Sequence, residues 1–394
     1  MWITREFQTA LERAVDTRPA VVLTGCRQAG KTSLLVKTFP DHRYVSLDVP
    51  TVAEEAEHSG EEFLKRHRPP VIIDEVQYAP SVLRHVKADI DRHRHEAGRF
   101  LITGSQDFSL MAGVTESLAG RSSVLTLHSL SAREYEAWSG KTLDRAALVE
   151  WMLKGGYPEL HSHGLDAERF FSDYLATYLE RDVRSILGVR SLRDFDRFMR
   201  LCAARTGQLV SYTAVATDLG VSPNTVKSWL SVLESSKIVL LLEPYFENLG
   251  KRIVKTPKLY FLDTGLASYL LGARTAEDLV RSPMLGALFE THVLGQIVRH
   301  FANQGRRREI YFYRDHHGHE VDFLIPSAGR FELIECKWAE SPGATQRGFA
   351  EFETLVGPDR IISQTIVTPD RDSRRASEAV TIADSVTLAF LSGG

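Results

Sequence analysis

In the N-terminal third, short and nearly continuous apolar runs alternate with segments whose apolar residues recur every three or four positions. Ala20-Val21-Val22-Leu23, Pro70-Val71-Ile72-Ile73 and Phe100-Leu101-Ile102 read as strands buried on both faces, and Tyr44 to Asp48 as a further strand. Phe7, Leu11, Ala14 and Val15 share one face of a helix that ends before Pro19. This alternation predicts a parallel sheet covered by helices, the α/β class. From Asp144 to Leu201 the spacing is helical, interrupted by a turn at Gly155-Gly156-Tyr157-Pro158. Val210 to Glu234 reads as helix, a turn at Gly220, then a second helix that Ser222 caps and Pro223 opens, with Val226, Leu230 and Leu233 as its buried stripe. The runs Ile238 to Leu242 and Lys258 to Leu262 are strands flanking a basic turn with Lys251, Arg252 and Lys255. After Ser282-Pro283, the residues Leu285, Leu288, Phe289, Leu294, Ile297 and Phe301 mark an amphipathic helix. Three strands follow, at Tyr311 to Arg314, Glu320 to Ile325 and Phe331 to Lys337.

Composition bounds the picture without changing it. A chain of 394 residues is too long for one ordinary core and divides into two or three domains, each able to bury its own. A net charge of −3 spreads no basic field over the molecule, so any nucleic-acid surface is local. Cys26, Cys202 and Cys336 are far apart and lack paired spacing, which indicates neither a disulfide framework nor a zinc site and fits a reducing cytoplasm. The N-terminus Met1-Trp2-Ile3-Thr4-Arg5-Glu6 is charged where a leader is apolar, and the run Ile238 to Leu242 is far too short to span a bilayer. A soluble cytoplasmic protein without membrane contact is expected.

The candidate chemistry starts at Gly25-Cys26-Arg27-Gln28-Ala29-Gly30-Lys31-Thr32, a G-x-x-x-x-G-K-T stretch between a strand and a helix that continues through Ser33. Gly25 and Gly30 allow positive φ, so successive N–H groups can surround one anion at a helix N-terminus. Lys31 would reach the β- and γ-phosphates of ATP, and Thr32 would join the shell of Mg²⁺. The strand Val71-Ile72-Ile73-Asp74-Glu75 ends in two carboxylates: Asp74 for Mg²⁺ through water, Glu75 to orient the water that attacks the γ-phosphate. A solvated strand end is the alternative for such a pair. Thr103-Gly104-Ser105 closes a strand expected beside it, placing Ser105 or Thr103 near the γ-phosphate; read alone, the stretch is equally a Ser/Gly turn. His93 and His95, with Arg92, Arg94 and Glu96, fit a solvated helix face.

The order P-loop, Asp74-Glu75, Thr103-Gly104-Ser105, then Ser117-Leu118-Ala119-Gly120-Arg121, resembles the AAA+ ATPases of bacteria and archaea. That resemblance implies a sensor at Ser105 and an arginine supplied from a neighbouring subunit, with Arg121 as the candidate and Arg181 as a second. A homo-oligomer follows, such as a hexameric ring. The outward residues Asn224, Thr225, Lys227, Ser228 and Ser231 suit a recognition helix of a winged helix-turn-helix, although such units also serve as protein-packing modules.

In the C-terminal third, a hairpin around Ser327 to Arg330 would set Asp322 opposite Glu335, with Lys337 on the same face as Glu335. Two carboxylates and a lysine there could hold one or two Mg²⁺ and neutralise a phosphodiester. Glu290, Glu320-Val321-Asp322 and Glu335-Cys336-Lys337 in this order resemble the PD-(D/E)xK restriction-endonuclease-like superfamily, although no proline precedes Asp322. His316, His317 and His319 flank Gly318 in a loop and read as solvated. Nearly the full length resembles bacterial and archaeal ATP-binding proteins with an N-terminal AAA+ domain and a C-terminal domain of unknown function, through Asn248-Leu249-Gly250-Lys251-Arg252, Leu259 to Leu266 and Glu320 to Phe323.

The expected architecture is therefore a P-loop AAA+ core at 1–143, a helical lid at 144–201, a winged helix-turn-helix at 202–278 and an α/β nuclease-like domain at 279–394. Two functions fit: a Mg²⁺-dependent ATPase coupled to DNA or RNA processing, or an ATP-dependent switch whose C-terminal units bind partners without cutting.

Overall fold

A computed structural model of the chain describes residues 2–104, 117–178, 192–245, 255–339, 342–343 and 346–391. The first unit follows the alternating pattern: α1 (Gln8–Thr17), β1 (Ala20–Gly25), α2 (Lys31–Thr38), β2 (Arg43–Ser46), α3 (Pro50–His58), α4 (Gly60–Arg66), β3 (Val71–Asp74), α5 (Val82–Arg92), β4 (Phe100–Thr103) and β5 (Ser122–Leu127). Its five strands form one parallel sheet in the order β2-β3-β4-β1-β5. Alternate residues of β1 serve opposite layers: Val21 and Leu23 cluster with Leu11 of α1 and with Phe7 just before it, while Ala20 and Val22 cluster with Val82, Val86 and Ile90 of α5. That two-sided burial explains why the strands read as continuous apolar runs.

A helical stretch follows, with α6 (Ala132–Ser139), α7 (Arg145–Lys154), α8 (Pro158–Ser162), α9 (Ala167–Tyr178) and α10 (Leu192–Ala203). The turn expected at Gly155-Gly156 separates α7 from α8, with Gly155 at φ 76°. Then come β6 (Gln208–Leu209), α11 (Tyr212–Leu219), α12 (Pro223–Ser235), β7 (Val239–Leu242) and β8 (Lys258–Phe261), and the three strands form a small antiparallel sheet ordered β6-β8-β7. Ser222 caps α12 by accepting the Thr225 N–H, and Val226, Leu230 and Leu233 are buried as the spacing predicts. Lys251 and Arg252 lie outside the described residues.

Two helices follow, α13 (Thr264–Leu271) and α14 (Ala276–Arg281), and the C-terminal unit then consists of α15 (Leu285–Asn303), β9 (Tyr311–Arg314), β10 (Glu320–Ser327), β11 (Arg330–Cys336), α16 (Arg347–Val356), β12 (Ile361–Thr368), β13 (Arg374–Arg375) and β14 (Val380–Asp384). Its sheet runs β13-β14-β12-β11-β10-β9, antiparallel from β9 to β11 and parallel from β11 through β12 to β14. Ser327 pairs with Arg330, and the two residues between them, Ala328 and Gly329, have φ of 50° and 79°. A two-residue loop with both φ positive matches the twist of the strands it joins, and it fixes the register.

Two apolar clusters each lie within one unit, one of buried residues between 20 and 118 and one of buried residues between 313 and 382. A third runs across the units, from Leu23 and Leu127 through Met152, Phe171, Phe198 and Leu230 to Leu288, Ile297 and Phe323. The long helix α15 makes this continuous, because its apolar residues cover more than one face. Among the described residues, no helix is long and apolar enough to cross a membrane.

Candidate functional site

The P-loop folds as its glycines permit. Gly25, at φ 136°, ends β1 where a Cβ would overlap the Leu127 carbonyl oxygen of β5, so only glycine fits the turn. Gly30, at φ 88°, caps α2 at its N-terminus. Lys31 is buried and donates to the carbonyls of Gly25 and Cys26, both at 2.9 Å. Burial lowers its pKa below the usual lysine value, although Glu75 and Asp74 oppose that shift.

The ends of three strands converge on α2. Asp74 closes β3 and is 5% exposed. It accepts the Thr32 hydroxyl at 3.0–3.1 Å, the Tyr44 hydroxyl of β2 at 2.9 Å, and the Thr103 hydroxyl of β4. Because β4 lies between β1 and β3, Thr103 sits between the P-loop and the Asp74 strand, on the side where the sheet opens. Tyr44 has its pKa raised to about 12, first by burial and then by the hydrogen bond to Asp74. Glu75 adopts a left-handed conformation (φ 57°), unusual for a non-glycine residue, and its carboxylate accepts the Gln77 amide.

A cleft of about 470 Å³ adjoins the P-loop, lined by Trp2, Ile3, Gln28, Gly30, Ser33 and Pro158 among others. Arg5 braces the loop from within, donating to Ala29 O at 2.9 Å, His128 O at 2.8 Å and Glu134 Oε1 at 3.0 Å. Neither Arg5 nor Tyr44 stood out in the sequence. A buried Arg at the start of a helix carries no local signature, and Tyr44 matters only because β2 lies next to β3.

Ser105 and Arg181 lie outside the described residues. Arg121 lies just before β5, at the end of the sheet away from its own P-loop: Ser122 aligns with Ala20, whereas Leu127 aligns with Gly25. It holds both oxygens of Asp91, at 2.7 and 3.1 Å. His93, just past the end of α5, donates from Nδ1 to the Asp89 carbonyl at 2.9 Å.

The residues singled out in the C-terminal third are brought together, with partners the sequence did not suggest. Asp322 Oδ2 accepts the Cys336 N–H at 2.8 Å, and Lys337 Nζ binds Glu335 Oε1 at 2.7 Å. Burial, then Glu290 and Glu335, hold the Asp322 pKa well above the carboxylate range, and burial also raises that of Glu335. The lysine nearest Glu290 and Asp322 is not Lys337 but Lys258 of β8, with Nζ 3.0 Å from Glu290 Oε1, 4.0 Å from Asp322 Oδ1 and in contact with Glu320. Tyr260 donates its hydroxyl to Glu290 Oε1. Lys258 arrives from a distant strand, which the spacing of Glu290, Asp322, Glu335 and Lys337 along the chain does not show. His319 is tied rather than solvated: its Nδ1 lies 2.9 Å from Asp315 Oδ2, and Asp315 also accepts the N–H groups of His317 and His319.

Residues 17–136 match the AAA domain family. A protein of Mycobacterium tuberculosis, described as uncharacterized, is 32% identical over 355 residues, covering 87% of this chain and 75% of that one, and a protein of Mycobacterium bovis matches to the same extent. The chain belongs to the family of these two proteins, and it carries an AAA domain. Residues 145–277 and 285–385 of this AAA-domain protein match two domains of unknown function, DUF8612 and DUF4143. Among solved structures, the Walker-type ATPase of Pyrococcus abyssi aligns at 14% identity over 67% of this chain and 94% of that one, with a TM-score of 0.45. The AAA domain and the P-loop ahead of α2 make the first unit a P-loop ATPase fold.

Proposed function

We propose that this AAA-domain protein binds and hydrolyses ATP with Mg²⁺ and couples hydrolysis to nucleic-acid binding or processing. The observation that carries the reading is the convergence of Thr32, Asp74 and Thr103 beside the Lys31 loop. Lys31 exchanges its two carbonyl partners for phosphate oxygens, and the cleft past Gly30 and Ser33 takes the base. Oxygen donors of Thr32 and Asp74 about 3 Å apart suit a small hard cation. When bound, Mg²⁺ would neutralise charge on the phosphates. Glu75 orients the attacking water, and Thr103, with Ser105 beyond it, senses the γ-phosphate. Arg121 completes the site of a neighbouring copy in an oligomer once it leaves Asp91.

The remaining units fall at 144–201 for a lid, 202–278 for a winged helix-turn-helix and 279–394 for a nuclease-like domain. The order α10, β6, α11, α12, β7, β8 with an antiparallel three-stranded sheet supports the second. The order α15, β9, β10, β11, α16, β12, with an antiparallel meander followed by a parallel strand, supports the third, with Glu290, Asp322, Glu335 and Lys337 as its site. The presence of Lys258 among those acids favours a second reading, an ATP-dependent switch whose C-terminal unit binds without cutting. The test is calorimetry with ATP and phosphate release with Mg²⁺. Glu75→Gln is expected to keep ATP affinity and lose turnover at least a hundredfold. A folded wild-type chain that binds no ATP at millimolar concentration overturns the assignment. Supercoiled, single-stranded and branched DNA and RNA, incubated with wild type and Asp322→Ala, separate the two readings: cleavage lost in the variant selects the nuclease, no cleavage by either selects the switch.

A further inference from the structure

The carboxylate cluster of the C-terminal unit is completed from outside it. Lys258 belongs to the stretch 145–277, whereas Glu290, Glu320, Asp322 and Glu335 all belong to 285–385. The Lys258 side chain is 2% exposed, so its ammonium is enclosed by its partners rather than resting on them from solvent. Burial alone would lower its pKa, but Glu290, Asp322 and Glu320 together raise it, so it stays charged.

Glu290, Glu320 and Asp322 each bring one oxygen within 4.8 Å of the others, the spacing of ligands that share one ion. A set of carboxylate oxygens selects hard divalent cations such as Mg²⁺ or Mn²⁺. Lys258 Nζ stands against these same three side chains. Fully ionised, Glu290, Glu320, Asp322 and Glu335 would carry one negative charge more than Lys258, Lys337 on Glu335 and Arg314 Nη1 on Glu320 at 2.8 Å supply. Glu335 is itself 8% exposed, and its Oε2 is buried with no hydrogen-bond partner among the described residues. A buried carboxylate oxygen without a donor is costly, and a doubly charged ion nearby would relieve it.

We propose that Glu290, Glu320 and Asp322 form a divalent-cation site that Lys258 closes: the ammonium takes the position of the ion, and the ion enters only when β8 withdraws that lysine. Occupant and ligands come from different units, so the position of the small sheet that carries β8 decides whether the C-terminal site holds metal. This rests on the C-terminal site of the proposed function and not on its ATPase half.

The experiment is a Mn²⁺ titration of the full chain, followed by the loss of the free-ion signal in electron paramagnetic resonance. Lys258→Met is expected to bind one Mn²⁺ more than the wild type, or the same ion at least tenfold more tightly, and adding Asp322→Ala is expected to abolish the gain. If Lys258→Met does not fold, Lys258→Gln keeps a hydrogen-bonding side chain without the charge and carries the same readout. ATP affinity measured on the same samples reports the nucleotide site separately, so its failure is not confused with this one. Equal Mn²⁺ binding by wild type and Lys258→Met that Asp322→Ala lowers would show that the acids hold an ion whose position Lys258 does not occupy. Equal binding that Asp322→Ala leaves unchanged would show that the three acids do not hold an ion.

Discussion

Replacing Lys31 by alanine tests the nucleotide site most directly, and the structure sets the size of the effect. The Lys31 ammonium makes two hydrogen bonds at 2.9 Å to the carbonyls of Gly25 and Cys26, in a buried position that already lowers its pKa. Phosphate oxygens compete for it as charged acceptors, and a hydrogen bond to a charged group contributes about 1.5–3 kcal/mol. The two carbonyl bonds given up offset part of two such contacts, which leaves a net of about 3 kcal/mol, or on the order of a hundredfold in Kd. Removing the ammonium also leaves those two carbonyls without this donor, at a cost of about 1 kcal/mol each, so a modest fall in Tm accompanies the loss. Isothermal calorimetry with ATP reads the first effect and a thermal melt the second. A Kd for Lys31→Ala within threefold of wild type, in a folded protein, refutes the placement of phosphate at this loop.

Thr103→Val removes the hydroxyl that Asp74 accepts from β4, and turnover is expected to fall by roughly ten- to a hundredfold, the worth of one hydrogen bond to a charged group, with ATP affinity little changed; unchanged steady-state phosphate release would remove Thr103 from the site. His128 is buried, and that burial, then Arg299, lowers its pKa to about 3. The unfolded chain takes up this proton near pH 6.5 and the folded chain does not, so stability is lost as pH falls through that window, by about 1.4 kcal/mol per pH unit. In His128→Leu the drop in urea midpoint between pH 7 and pH 5 should be smaller than in wild type, and an equal drop would contradict the buried neutral imidazole. For Arg121, mixing the inactive Arg121→Ala and Lys31→Ala chains should restore ATPase activity, since each supplies what the other lacks across an interface. A mixture no more active than its parts, with light scattering of wild type and a non-hydrolysable ATP analogue showing only monomer, would exclude action in trans.

What could be read from the chain was local. The P-loop lies within eight consecutive residues, the Asp74-Glu75 pair ends an apolar run, and the hairpin at Ala328-Gly329 sets its own register, so spacing alone places Asp322 opposite Glu335. Ser222 and Pro223 announce the start of α12 because capping depends on neighbours in sequence. The residues that escaped notice act across long separations. Lys258 reads as the polar start of a strand until β8 is set against α15 and β10, which bring Glu290 and Glu320 to it. Arg299 falls in an amphipathic helix where a charged residue suggests solvent, yet it is buried against Ser129 and Leu262. The apolar cluster that the units share had no sequence signature either, because periodicity tells that a face is buried but not against what.

The same long-range contacts join the two candidate sites through one chain of buried polar groups. Arg5 holds the P-loop at Ala29 O and the end of β5 at His128 O. Next in sequence, Ser129 receives Arg299 of α15 at 2.6 Å through its hydroxyl and at 3.1 Å through its carbonyl, and it donates to Asp263 at 2.8 Å. Arg299 reaches Leu262 O at 2.6 Å, immediately after the strand that begins with Lys258. Thus β8 and α15, which clasp Lys258 and Glu290 at one end, are fastened to the nucleotide unit at the other. Arg299 Nη2 also lies 3.6 Å from Asp263 Oδ2, both side chains buried, and because breaking a buried charged pair by removing one member costs about 3–5 kcal/mol, this junction resists opening more than a solvated contact would. Contiguity of this kind is spatial, and coupling requires that nucleotide favour one of two arrangements. If it does, ATP that shifts β8 changes Mn²⁺ affinity at the acid cluster, and Mn²⁺ changes ATP affinity by the same factor, since linked binding is reciprocal. Repeating the Mn²⁺ titration on the full chain with a non-hydrolysable ATP analogue, in wild type and in Arg299→Met, reads that factor. A shift of fivefold or more in wild type that disappears in the variant is the expected result. Equal Mn²⁺ affinity with and without the analogue would mean that the polar chain holds the units together and transmits nothing between them.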